Sequence, residues 1–225
     1  MKGSRSINQA VREILMSKPI ILASLGMGVV NYSALARKLK RDVEKKLGSE
    51  VSEESIKIAV VRFKEQLYQL FNTEGVLKVV ADSTTTLVDD VGLLTVRASD
   101  PQIFSPALTE AKVRLIQITQ GVHTLTVVTD EEVLDKLLAV VDPRLVEAVY
   151  RNQAAVILIS PKDIVTTPGV LAYLTTILAF NGINITQVIS THTDTLFILE
   201  RQAAIDAYSL LREAIAVARR NLSKP

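Results

Sequence analysis

The stretch Ile189-Ser190-Thr191-His192-Thr193-Asp194-Thr195-Leu196-Phe197-Ile198-Leu199-Glu200 decides the fold. Two β-rich runs flank a polar tip, which is the pattern of a hairpin. Residues 202–217 follow with apolar side chains at helical spacing. A second version lies 71 residues upstream, where Ile118, Thr119, Thr124, Leu125 and Asp135 match Ile189, Ser190, Thr195, Leu196 and Asp206. The upstream copy reads strand 113–120, strand 122–129, helix 130–141. The downstream copy reads strand 183–191, strand 194–200, helix 202–217. Apolar strands 91–98 and 154–160 precede them at a shift of 63. The helix between is therefore shorter in the first copy. Each copy runs strand, helix, strand, strand, helix, the start of a ferredoxin-like α/β sandwich. With its last helix continued to Arg220, the second copy has only residues 221–225 beyond it, too few for a fourth strand. Its missing edge is expected from residues 76–80, from 85–88, or from a partner chain.

Composition narrows the chemistry. The 225 residues include no cysteine, no tryptophan and two histidines. Disulfide scaffolds, cysteine nucleophiles and thiolate metal sites are excluded. Hydrophobic residues make up 48% but aromatics only 4%, so the core is aliphatic. Residues 1–75 hold 13 Lys/Arg against 8 Asp/Glu, and residues 76–225 hold 13 against 16. Charge that changes sign along the chain suggests two modules with different partners. Residues 19–30 after Lys2, Arg5, Arg12 and Lys18 outline a signal peptide, but Ser24, Gly26 and Gly28 break the run and it is too short to span a bilayer. A cytoplasmic protein without membrane attachment is expected.

The basic module reads as helices. Ile7, Ala10, Val11, Ile14 and Leu15 make an amphipathic helix over 6–17. Pro19 begins a second helix, ended by Gly26 and Gly28. Asn31 or Ser33 caps a third, which runs to Leu47 and closes at Gly48. Ser52, Glu53 and Glu54 open a fourth, with Ile56, Ala59, Val60, Phe63, Leu67 and Leu70 as its buried stripe. Short strands are expected at 76–80 and 85–88 around Asp82-Ser83-Thr84.

Helices followed by a two-stranded ribbon is the order of a winged helix-turn-helix. Tyr32-Ser33-Ala34-Leu35-Ala36-Arg37-Lys38-Leu39 resembles the first helix of that motif, and Val51-Ser52-Glu53-Glu54-Ser55-Ile56-Lys57 resembles its turn and recognition helix. The resemblance implies double-stranded DNA as a partner, approached by Lys57, Arg62, Lys64 and, on the ribbon, Lys78. Two features depart from it: the Ser33–Leu47 helix is long, and Glu53 and Glu54 face phosphates unfavourably.

The second copy resembles the ACT domain, especially the regulatory kind attached to aspartokinases. Thr166-Thr167-Pro168-Gly169-Val170 matches the loop into its first helix, and Asn181-Gly182-Ile183-Asn184-Ile185 matches the start of its second strand. For the first copy the resemblance rests on the repeat alone. The chain as a whole looks like archaeal regulators of amino-acid metabolism. The expected fold is therefore α+β: a winged helix-turn-helix-like domain at 1–88, then two ferredoxin-like βαββαβ ACT domains at 89–152 and 153–225.

The resemblance implies amino-acid sensing at domain interfaces, a homodimer through the ACT domains, no catalysis and no cofactor. The residues support a ligand site independently. A Thr caps the helix, Pro168 suits its first turn, and Gly169 lets a ligand approach the backbone, where free amides attract a carboxylate. The candidate set is Thr166, Thr167, Gly169, Val170, Asn184 and Ile185. Thr186 stands where lysine-sensing relatives often carry an acid, which argues against lysine. The first copy has only Asp100-Pro101 at the matching loop.

Other chemistry is weak. Gly26-Met27-Gly28 does not follow a strand. His123 and His192 sit at hairpin tips without further ligands, so no metal is expected. Thr129-Asp130-Glu131-Glu132 fits a capping box. Three functions share these residues: a ligand-responsive transcriptional regulator, a regulatory subunit docking on a biosynthetic enzyme without DNA binding, and a ligand-free structural dimer.

Overall fold

The computed structural model describes residues 6–26, 29–70, 73–98, 100–109 and 112–223. The chain divides into two compact units, Met1–Thr73 and Glu74–Pro225.

The first unit is helical. Helix α1 spans Ile7–Met16, α2 Pro19–Gly26, α3 Tyr32–Leu47 and α4 Glu53–Leu70. Ser6 opens α1 through a capping box with Gln9. Asn31 accepts from the Ala34 amide to open α3, and Gly48 at φ 71 closes it in the left-handed region. Ala10, Val11 and Leu15 of α1, Leu25 of α2, Ala36 and Leu39 of α3 and Ile56 and Val60 of α4 meet in one aliphatic core. Leu70, expected in that stripe, has a side chain outside the described residues.

The second unit opens with a helix where a strand was expected. Helix α5 spans Thr73–Ala81. Val76, Val79 and Val80 stand at i, i+3 and i+4 and bury against the sheet, so helical spacing wins over the β-branched composition. Residues 85–88 belong to a 13-residue strand, β1, Thr84–Val96. No ribbon forms over 76–88, and those residues belong to the second unit rather than to a winged first domain.

After β1 come α6 (Ser105–Leu108), β2 (Ile116–Gln120), β3 (Leu125–Asp130), α7 (Glu131–Val140), β4 (Val146–Ile159), α8 (Val170–Phe180), β5 (Gln187–Thr191), β6 (Asp194–Glu200) and α9 (Arg201–Leu222). The six strands form one sheet in the order β2-β3-β1-β4-β6-β5. Strands β1 and β4 are long because each serves both copies. The far half of β1 pairs with β3 from Val91↔Asp130 to Val96↔Leu125. Its near half pairs with the end of β4 from Thr84↔Ile159 to Val88↔Ala155. Residues 84–88 therefore supply the fourth strand that the second copy lacks after α9. The start of β4 does the same for the first copy, pairing Leu94↔Val149. The copies are interlocked rather than arranged in tandem.

The hand-over points are β-bulges at Asp90 and Asn152, each at φ 55. Asp and Asn tolerate this conformation better than other side chains. The bulges preserve which face points to the helices. Helices α6 and α7 cover Leu94, Val96, Leu125 and Val127. Helices α5, α8 and α9 cover Ala154, Val156, Leu158, Phe197 and Leu199. The opposite face collects Val91, Leu93, Val128, Ala155, Ile189, Leu196 and Ile198 into its own buried cluster. The sheet buries this face by curling on itself, and the two outer strands touch where Gln187 Nε2 donates to Thr119 Oγ1 at 3.5 Å.

Candidate functional site

Helix α8 begins without a side-chain cap. Its N-cap is Gly169 at φ 100, a conformation open to glycine and costly for other residues. The expected Thr cap does not form. Thr167 Oγ1 donates to the Asp163 carbonyl at 2.7 Å, and Thr166 Oγ1 donates to the same oxygen at 3.4 Å. Pro168 lies before the N-cap rather than in the first turn. A single-turn 3-10 helix at Lys162–Val165 holds Asp163 in place to accept both hydroxyls. The first intrahelical bond runs from the Tyr173 amide to the Gly169 carbonyl at 2.8 Å. The amides of residues 169–172 thus point out of the helix without helical acceptors, at the positive end of its dipole. The helix carries no charged residue, so no neighbouring acid on α8 competes for that end.

The side chains at this end divide by burial. Val170 is buried against Leu174 and the sheet, leaving only its backbone amide for a ligand. Thr166 is exposed and Thr167 half-buried. Tyr173, one turn further on, packs against the core, and burial raises its phenol above the ordinary value of 10.0.

Asn184 and Ile185 lie elsewhere. The amides of Gly182 and Ile183 donate to the Ala179 and Leu178 carbonyls, which ties this segment to the C-terminal end of α8. Eleven residues separate the two ends of the helix, or about 16 Å at 1.5 Å per residue. One chain therefore does not gather the six expected residues into one site. Asn184 is exposed, and Ile185 packs on the core. Thr186 is committed internally, since its Oγ1 donates to Gln153 at 2.8 Å. A cleft at this far end, which sequence reasoning missed, is lined by Asn181, Ile183, Asp206, Ser209, Leu210 and Glu213. Asp206 and Glu213 stand seven residues apart on α9, so the 3.6-residue repeat was the signal that places them on one face.

The matching loop of the first copy has a different build. Asp100 accepts from the Gln102 amide at 2.9 Å and caps its own short helical segment. Helix α6 that follows is only four residues long. The expected capping box at 129–132 is absent as well. Asp130 is the N-cap of α7 without a side-chain cap bond. Its carboxylate instead accepts from Arg114 Nε at 2.6 Å and from the Arg114 amide at 2.7 Å. Asp89 and Asp90 lie in β1 at its bulge and pair with Arg201. His123 and His192 are exposed in the two hairpins. Among the described residues no cluster suited to a metal ion is present, and no helix is long and apolar enough to cross a membrane.

The four expected DNA-contacting residues are also dispersed. Lys57, Arg62 and Lys64 are on α4, whereas Lys78 is on α5 in the second unit. Lys57 pairs with Glu54 at 3.3 Å. The Lys64 ammonium sits 5.7 Å from the Tyr32 ring centre.

Residues 148–213 match the family model of the ACT domain. The segment runs from β4 to α9 and contains the open helix start; the strand that completes its sheet, residues 84–88, lies outside the match. Aspartate kinase from Synechocystis is similar in structure at 20% identity and a TM-score of 0.52, over 62% of this chain and 27% of that one. The regulatory subunit of aspartate kinase from Thermus flavus is similar at 20% identity and a TM-score of 0.49, over 60% of this chain and 98% of that one. Clostridium acetobutylicum aspartate kinase is similar at 14% identity and a TM-score of 0.49, over 58% of this chain and 34% of that one. The chain thus spans about a third of the Clostridium enzyme. No curated protein matches it.

Proposed function

We propose that this protein is an amino-acid-sensing regulator that responds to its ligand by changing its binding to DNA. The observation that carries the sensing role is the uncapped start of α8 within the ACT segment. Four outward amides at Gly169–Ala172 suit the carboxylate of a free amino acid, while the Thr166 and Thr167 hydroxyls shape the loop by donating to the Asp163 carbonyl. The ligand's ammonium needs a second partner, which the same chain does not place there. A homodimer meets this need. Strand β5 is an outer strand of the sheet, and an antiparallel pairing of two β5 strands lays the two α8 helices head to tail. Asn184 of one protomer then approaches Gly169 of the other. Coupling to DNA follows if the ligand binds one arrangement of the protomers better than the other. The acidic place filled by Thr186 favours a ligand other than lysine.

The test is thermal unfolding of the full chain in the presence of each of the twenty amino acids. A ligand at a hundred times its Kd adds about 2.7 kcal/mol to stability, which moves the midpoint by several degrees. Gly169→Asp abolishes the shift by placing a carboxylate against the ligand's own, and Asn184→Ala weakens it. If no amino acid moves the midpoint, the sensing role fails.

A further inference from the structure

The helix α3 carries eight charged residues, and its exposed face holds Arg37, Lys38, Arg41 and Lys45. These four stand at helical spacing along one stripe. Among the described residues none of the four forms an ion pair, whereas the cations at the margins are neutralised: Lys40 by Glu44, Lys46 by Glu13, and Lys18 by Asp42. Asp42, the one acid exposed on this stripe, is thus engaged with Lys18. The unit has placed its acids so that one cationic face stays open.

We infer that this face of α3, rather than α4, lies against the phosphate backbone of double-stranded DNA. The inference rests on the DNA-binding output proposed above and assigns the surface that performs it. Residues 37 to 45 rise about 12 Å along the helix, a length that spans more than one phosphate step of a duplex strand. A helix with side chains measures about 10–12 Å across and fits a major groove about 12 Å wide. The two arginines offer forked donors matched to phosphate oxygens. Ser33 and Ala34 are the other exposed residues of the first turn, so no bulky side chain keeps the backbone away. Nor does the stripe hold an exposed large apolar residue, which a membrane-surface helix needs.

Helix α4 presents the opposite character. Glu53 and Glu54 are exposed at its start, Lys57 is paired, and Ile58 and Val61 are 46% and 37% exposed beside Arg62 and Glu65. With three acids against three cations, α4 offers a polyphosphate no net attraction.

The experiment is fluorescence anisotropy of a labelled mixed-sequence duplex of roughly 20 bp, two helical turns, titrated with the full chain at low salt. Three proteins are compared: wild type, Arg37→Ala/Lys38→Ala/Arg41→Ala, and Lys57→Ala/Arg62→Ala/Lys64→Ala. Circular dichroism confirms that each is folded. The α3 variant is expected to lose more than tenfold in affinity, and its salt slope falls by about 2 to 3, roughly 0.9 per lost phosphate contact. The α4 variant is expected to stay within threefold of wild type. Binding intact in the α3 variant, or an equal loss in the α4 variant, overturns the assignment while leaving DNA binding in place. A wild type that ignores the duplex overturns the proposed output and the assignment together. Attachment to vesicles of phosphatidylserine and phosphatidylcholine without attachment to the duplex also overturns it.

Discussion

The two copies in the sheet unit share a framework and differ at their helix starts. The first copy closes its loop on itself: Asp100 caps the following turn, and the helix is four residues long. The second copy leaves the same position open: Gly169 at φ 100 precedes an eleven-residue helix with no side-chain cap. The contrast extends to the bulges. At Asn152 the strand carries the cation, with Arg151 paired to Asp135 of α7. At Asp90 the strand carries the anions, with Asp89 and Asp90 paired to Arg201 of α9. The same joint is thus built twice with its charges reversed. The difference teaches that duplication fixed the scaffold while each copy's loop was free to become either a capped turn or an uncapped helix start.

The interlock gives the largest expected effect. A chain beginning at Glu74 keeps α5 and all of β1 and unfolds cooperatively. One beginning at Val91 loses the fourth strand of the second copy, leaves the β4 edge bare and deprives Arg219 of the Ala81 and Ser83 carbonyls it donates to at 2.7 and 3.1 Å. It is expected to aggregate or unfold without a transition in a calorimetric scan. If it matches the longer chain, the copies do not depend on shared strands.

The next effect separates matched core positions. In the structure Gly92 matches Ala154, one residue off the 63-residue shift: Gly92 pairs with Thr129 just before the N-cap of α7, and Ala154 with Leu199 just before the N-cap of α9. A Cβ at Gly92 meets Leu134 Cδ2 at 2.5 Å and the Tyr150 carbonyl oxygen at 3.3 Å. Gly92→Ala is expected to cost about 1–3 kcal/mol by overpacking, read from urea denaturation. Ala154 already occupies its place while almost wholly buried. A neutral Gly92→Ala would show that the first copy is packed as loosely as the second.

The bulge pairs are smaller. Arg201 is half-exposed and its partners nearly so, so Arg201→Ala is expected to cost at most about 1 kcal/mol, less at high salt. Arg201→Asp costs more by repulsion, and Asp89→Arg restores part of the loss. A double-mutant cycle with no coupling would dismiss the charge-reversed joint.

The smallest effect is alkaline. The raised phenol of Tyr173 means the unfolded chain ionises first as pH climbs above 10.0. The stability held by the neutral phenol is fully present below that value and is lost as pH rises through the folded pKa. Tyr173→Phe is expected to narrow the fall in melting temperature between pH 9 and about 11. An unchanged fall would mean that Tyr173 is as free to ionise in the folded chain as in the unfolded one.

Much of this was legible from residues. Matching of Ile118 with Ile189 and Leu125 with Leu196 pointed to the duplication but one residue out of register, since Leu125 lies under the helices and Leu196 on the opposite face; Ser6, Asn31 and Gly48 marked helix ends where the structure has them. The region 76–88 misled because five residues of Val, Leu and Lys satisfy a strand and a helix alike. Only burial of Val76, Val79 and Val80 under the sheet decides between them. The strand exchange was half visible: the missing edge after α9 was apparent, but pairing across 70 residues leaves no local signal. The candidate site was legible at its helix start. The placement of Asn184 was not, because sequence spacing does not reveal that this residue emerges from the far end of α8, away from Gly169.

The central claim is that the second copy alone provides the amino-acid site. Isothermal titration of the full chain with the amino acid that stabilises it tests this most directly. One ligand per chain is expected, lost in Gly169→Asp and retained in Asp100→Ala. Two ligands per chain, or binding that survives Gly169→Asp, would contradict it.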